Sequence, residues 1–195
     1  MSEFVRPNFS LPIDLAAQKR LIQPGATVKG MQLQALVDEC KKHGVAIGTR
    51  KYTSFREYPG EELLDLLVAT AEGLWPGQPL REGLRRVGRI AYPTLYRSLV
   101  GKVVFGALAR DVHRICGVGS KGYERSGSTG SATLMDLHEN HAIVRLEGIY
   151  SFVDSWHVGI FEGAVELYEA EPEVLVKMTS STSADFLVRW TDRTK

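Results

Sequence analysis

The stretch from Gly148 to Trp190 constrains the fold more than any other, because it switches from helical to strand periodicity within one short length of chain. At about 100° per residue, positions 153–169 gather Val153, Trp156, His157, Gly159, Ile160, Phe161, Gly163, Ala164, Leu167 and Tyr168 on one half of a helical wheel. Asp154, Ser155, Glu162, Glu166 and Glu169 take the other half, and Pro172 is expected to close the helix. Two period-two runs follow, Val174/Val176/Met178 and Phe186/Val188/Trp190, with residues 180–183 as the loop between them. A helix that hides half its circumference, beside a hairpin with one apolar face, implies a helix packed on an antiparallel sheet.

Upstream of that stretch the signals are almost all helical. Residues 1–12 read as an arm that lies on the surface or pairs with a sheet edge. Asp14 is placed to cap a helix over 15–22, and Thr27 to cap another over 28–43 that turns Met31, Ala35, Leu36 and Cys40 inward and stops at Gly44. Residues 50–58 form a polar and aromatic connector. Pro59 opens a third helix, with Leu63, Leu64, Leu67, Val68, Ala71 and Leu74 inward and Glu61 and Glu62 at the positive end of its dipole. Trp75-Pro76-Gly77 ends it.

Leu80, Leu84, Val87 and Ala91 then carry a fourth helix, with Arg81, Arg85 and Arg89 along another face, until Pro93 stops or kinks it. The next segment, 94–108, is apolar almost all round and reads as a central buried helix. Gly101 and Gly106 each lower its propensity by about 1 kcal/mol, which points to the close approach of a neighbour. Asp111 caps a short helix ending near Gly117. From there the composition turns to glycine and serine, and the chain passes from a helical half, 13–117, to a strand-rich half, 121–191. Residues 131–137 and 142–148 read as strands joined by a turn at His138-Glu139-Asn140-His141, with an extra strand possible around Tyr123. The expectation is a single α+β domain: a helical N-terminal half packed on an antiparallel sheet formed by a β-β-α-β-β C-terminal half.

Charge and composition narrow the function classes. The chain has 195 residues, 44% hydrophobic and 24% charged, with a formal net charge of +1. The first two figures suffice for a sizeable core, and the third implies no bulk attraction to nucleic acid or anionic membranes. No apolar run approaches the roughly 18 residues of a membrane span, and the first residues lack a signal-peptide core, so the expected location is the cytoplasm. Cys40 and Cys116, without a CxxC spacing, suit reduced thiols on helices.

Candidate chemistry is sparse. His138-x-x-His141 is half of a metal site without a third ligand in the sequence, so both histidines are read as exposed turn residues and no metal is expected. His113 and Cys116, one turn apart on a helix, are weak as a nucleophile pair. Gly117-Val-Gly119-Ser-Lys121-Gly122 resembles a phosphate loop but lacks a preceding strand and a following helix. Arg81, Arg85, Arg86, Arg89 and Arg97 form the densest basic group and read as a solvated helix face. An enzyme would need a polar cluster in a cleft, and Tyr92, Tyr96, Arg97 and His157 are the groups to examine. No catalytic residue is assigned.

The segments LDLAAQ, ATVKGMQLQALVDEC, RKYTSFREYP, RVGRIAYPTLYRSLVGKVVF, DSWHVGIFEGA and the final VRW together resemble a myxobacterial paralogous family of uncharacterised proteins of about this size, over residues 11–190. That resemblance implies a cytoplasmic protein present as several paralogues. More distantly, the order of elements over 28–190, with GxxxGA at Gly159–Ala164 before the last hairpin, is similar to the 4-vinyl reductase, haem-NO-binding and TRAPP-component group of ligand-binding α+β domains. Those domains imply an apolar, acyl or porphyrin-like ligand between helices and sheet, and several dimerise. None of the five histidines aligns with the axial-ligand motif of the haem-binding members, so no cofactor is expected. The reading is a non-enzymatic small-molecule-binding or sensory module with an apolar pocket between helices 94–108 and 153–169. Its lining would be Tyr96, Phe105, Trp156, His157, Ile160, Phe161 and Tyr168, and the chain would be a homodimer. The alternative is a dimeric adaptor protein without a ligand.

Overall fold

The computed structural model describes residues 3–48, 50–97, 111–116 and 129–192. Phe105 and all of the 94–108 segment beyond Arg97, the strand expected around Tyr123, the phosphate-loop-like run and the side chain of Tyr92 lie outside the described residues. In chain order the elements are α1 (Leu15–Arg20), β1 (Thr27–Lys29), α2 (Gly30–Lys42), β2 (Glu57–Pro59), α3 (Gly60–Leu74), α4 (Leu80–Arg97), α5 (112–116), β3 (Ser131–Leu137), β4 (His141–Glu147), α6 (Trp156–Glu166), β5 (Ala170–Ser180) and β6 (Ser183–Asp192). The α+β class is as expected: helices come first, and β-β-α-β-β follows as a four-stranded antiparallel sheet of order β3-β4-β6-β5.

The helical half is built by local signals with two amendments. Asp14 caps α1, its carboxylate accepting from the Ala17 N–H at 2.9 Å. Thr27 does not cap α2, because Thr27, Val28 and Lys29 are extended and pair with Pro59, Tyr58 and Glu57, so the helix begins at Gly30. It ends as expected, with Gly44 left-handed at φ +72°. Pro93 does not stop α4, which runs through it to Arg97. Leu33 and Leu36 of α2, Leu63, Leu64 and Leu67 of α3, and Leu84 and Val87 of α4 meet Phe152 and Trp156 in one buried cluster. Burying such aliphatic side chains contributes roughly 1.5–3 kcal/mol apiece.

A second cluster lies on the sheet. Ala142, Val144 and Leu146 of β4, Val174 and Val176 of β5, and Phe186, Val188 and Trp190 of β6 turn one face to Val158 and Val165 of α6. Trp190 and Trp156 are both buried, as the proposed hairpin register requires. Pro172 is not the helix stop: it lies within β5 opposite Trp190, on a sheet edge that tolerates proline. Helix α6 instead spans Trp156–Glu166, shorter than the 153–169 expected, and Glu169 at φ +61° turns the chain into β5. The N-terminal arm does pair with an edge, Val5 exchanging backbone hydrogen bonds of 3.0 and 2.8 Å with Val176.

Helix α6 therefore has the sheet on one side and α4 on the other. A Cβ built on Gly159 would fall on the carbonyl oxygen of Arg85, one on Gly163 on that of Arg89, and one on Gly88 on that of Trp156. Three glycines thus let two helix backbones touch. The contacts advance together along both helices, so α4 and α6 run in the same direction. Arg81 pairs with Asp154, Arg85 with Glu162, and Arg89 with Glu166. Arg81, Arg85 and Arg89, expected to be solvated, therefore form a ladder onto α6 and the residues just before it. Glu162, placed on the polar half of the wheel, is buried beneath it. The physical reason is that glycine draws the backbones close enough for carboxylates on one helix to reach guanidinium groups on the other.

Candidate functional site

The described residues of the expected pocket lining fall into two groups along α6. At the N-terminal end of α6, Trp156 packs into the helical cluster and stands edge-on to His157, ring centroids 4.8 Å apart. His157 is buried, and burial lowers its pKa to about 4 against the opposing effect of backbone hydrogen bonds with Phe152 and Ser151. It is a neutral structural imidazole at physiological pH. Ile160, one turn on, borders the same helical cluster. The Ser155 hydroxyl, the Trp156 indole N–H and Arg81 Nε are buried there with no partner among the described residues. Such donors are ordinarily met by ordered water or a ligand.

At the other end, Phe161 lies against Phe186 at 4.8 Å, and Tyr168 stands edge-on to Tyr96 at 6.4 Å. Phe161, Tyr168 and Cys116 all pack on the margin of the sheet cluster. Burial raises the Tyr168 phenol pKa, and the Tyr96 hydroxyl, hydrogen-bonded to it, adds to the shift. Burial alone pushes the Cys116 thiol up to about 12. A thiol held protonated is a poor nucleophile, and His113 beside it is exposed, so the Cys/His pairing has no support in the geometry. Tyr96 and His157, two of the groups named for catalysis, are not brought together: Tyr96, on α4, stands against Tyr168 just past the C-terminal end of α6, whereas His157 is in its first turn.

Between the two ends, Gly159 and Gly163 are covered by the α4 backbone. Among the described residues, Tyr96, Phe161 and Tyr168 are half-exposed aromatic side chains. Sequence periodicity placed Phe161 and Tyr168 on one apolar face of the 153–169 segment. It could not show that Gly159 and Gly163 separate them from Trp156, because a wheel does not say what the partner surface is. A shallow, open cleft also lies between Lys19, Gln23, Thr27, Glu57 and Glu61, with the Lys19 ammonium paired to Glu61 and Asp65 and Lys29 to Glu57. Its charges are already mutually satisfied.

This architecture is that of the H-NOX domains. An Fe(II) unliganded H-NOX protein from K. algicida superimposes with a TM-score of 0.64 at 13% identity, covering 86% of this chain and 99% of that one. An H-NOX protein from S. oneidensis gives 0.64 at 16% identity, covering 84% and 96%. An oxygen-binding H-NOX domain related to soluble guanylate cyclases gives 0.60 at 14%, covering 84% and 93%. At such identities the likeness is one of fold. Residues 21–191 match the family DUF2378, protein of unknown function, and the chain belongs to that family. No curated protein matches it.

No histidine among the described residues is placed as the axial ligand of a haem. An axial histidine must turn a ring nitrogen into the space that holds the iron. His43, His113 and His138 are exposed, His141 lies with His138 on the β3–β4 turn, and His157 is enclosed with its ring held by the Ser151 and Phe152 backbone. No helix among the described residues is long and apolar enough to cross a membrane.

Proposed function

We propose that the chain is a non-enzymatic small-molecule-binding or sensory domain, and that an apolar ligand meets it at the C-terminal ends of α4 and α6. The observation that carries this reading is that Phe161 and Tyr168 both pack on the margin of the sheet cluster, with Tyr96 edge-on to Tyr168 and hydrogen-bonded to it. Ligand sites of this kind are mostly apolar with few polar groups to fix orientation. The likeness to H-NOX proteins, one of them described in an oxygen complex, supports the same class. We take the chain to act as one domain, in the cytoplasm, as a homodimer. A single sedimenting species of monomer mass overturns the last point.

Native mass spectrometry of freshly purified full-length protein, with a thermal-shift screen of fatty acids, isoprenoids and metal-free porphyrin, tests the reading. A bound adduct, or a rise in Tm that Tyr168→Phe and Phe161→Ala diminish, is the expected result. Absence of both adduct and shift overturns it, and the adaptor reading takes its place.

A further inference from the structure

The β3–β4 turn carries a group of side chains unrelated to α6. Strand β3 begins in regular register, Ala132 opposite Leu146 and Leu134 opposite Val144, with both side chains toward the core. A bulge at Met135 then shifts the pairing, so Asp136 faces Ile143 and Leu137 faces Ala142. Without that extra residue, the period-two alternation would aim Asp136 into the core. With it, Leu137 packs on the core and Asp136 joins His138 on the outer face. His141, opposite His138 across the turn, has the same parity.

Three donors result where the sequence showed two. One ligand atom each from Asp136, His138 and His141 lie within 4.8 Å of one another. Asp136 Oδ2 is 3.1 Å from His138 Nε2, and the two imidazoles stack at 4.5 Å with planes 21° apart. Bonds of about 2.0–2.1 Å hold the donors of a tetrahedral ion roughly 3.4 Å apart, so small side-chain rotations close the set. The backbone beneath is fixed. His138 N–H donates to the His141 carbonyl at 2.8 Å, and Trp190 N–H to the Asn140 carbonyl at 3.0 Å. Asn140 Oδ1 lies 3.1 Å from His141 Nδ1, where it accepts that N–H and leaves Nε2 as the donor to an ion. Arg189, opposite His141, is drawn away by Glu173 at 3.3 Å, and the exposed Glu139 adds negative charge to the turn.

We propose that Asp136, His138 and His141 form a site for one divalent transition-metal ion, with Asn140 as a positioning residue. Two imidazoles and one carboxylate suit Zn²⁺ and its neighbours of borderline softness, whereas Mg²⁺ and Ca²⁺ prefer oxygen donors. Three protein ligands leave the remaining position to water or to a donor from another molecule. The site is independent of the apolar ligand proposed above.

The test uses full-length protein without an affinity tag, titrated with Zn²⁺ by calorimetry and with Co²⁺ by visible absorption. Expected are one Zn²⁺ per chain and a Co²⁺ band that Zn²⁺ abolishes and excess Mg²⁺ does not. His138→Ala and His141→Ala remove the uptake, and Asn140→Ala weakens it about tenfold. Far-UV circular dichroism should stay unchanged, since the turn is on the surface. Absence of heat and band, uptake preserved in the His138→Ala/His141→Ala double variant, or displacement by Mg²⁺ overturns the proposal.

Discussion

The two faces of α6 are held by opposite means. Toward the sheet, Val158, Phe161 and Val165 present side chains to Phe186, Val188 and their neighbours, and contact is made by volume. Toward α4, Gly159 and Gly163 present nothing, and contact is made by backbone, with Arg85–Glu162 and Arg89–Glu166 as paired ions along its edge. The first face tolerates repacking, because aliphatic side chains adjust to one another. The second does not, because a carbonyl oxygen cannot move without its helix. One short helix can therefore be specified by bulk on one side and by its absence on the other.

Gly159→Leu should break that comparison most severely. Its side chain would occupy the place of the Arg85 carbonyl, and a loss of about 4 kcal/mol or more is expected in chemical denaturation. A variant as stable as wild type would mean that the helices do not touch. On the sheet side, Trp190→Ala should cost roughly 3–5 kcal/mol through the cavity it leaves, and a negligible loss would refute the hairpin register.

His157 adds a pH dependence to the α6 core. Its folded pKa, about 4, lies below the ordinary 6.5, so between those values the unfolded chain binds more protons. Stability is thus fully present above pH 6.5 and falls as pH drops toward 4, by about 3 kcal/mol in all. Denaturation midpoints across that window should flatten in His157→Leu. An unchanged slope would show that other groups set it.

The ion ladder sets the smallest effect. Burial raises the pKa of Glu162, and the bidentate Arg85 contacts, both 2.8 Å, oppose that rise. Arg85→Met alone should cost about 2 kcal/mol, discounted because the guanidinium is partly exposed, by leaving a carboxylate unpaired. Adding Glu162→Leu should recover most of it. Failure to recover would mean that the pair sets helix register as well as charge.

Much of this was legible in the chain and some was not. The capping of α1 by Asp14, the stop at Gly44 and the register of Val174/Val176 against Val188/Phe186 all rest on neighbours in sequence or on simple alternation. The candidate site was legible only in part. The apolar character of Trp156, Ile160, Phe161 and Tyr168 was visible, whereas their division between two clusters was not. Asp136 was missed altogether, since a bulge leaves no mark on a pattern read two residues at a time.

Sequence by itself determined the order of the helices and of β3 to β6, because helix and strand periods are properties of local backbone geometry, whereas the short β1–β2 pair was not legible in it. Only the tertiary structure decided that Arg81, Arg85 and Arg89 meet Asp154, Glu162 and Glu166 rather than water. It alone decided that the space at Gly159 and Gly163 is filled by α4, and that Asp136 stands beside two histidines. Each of these depends on which surface a residue finds across the fold, and for the helix pair that partner lies more than seventy residues away.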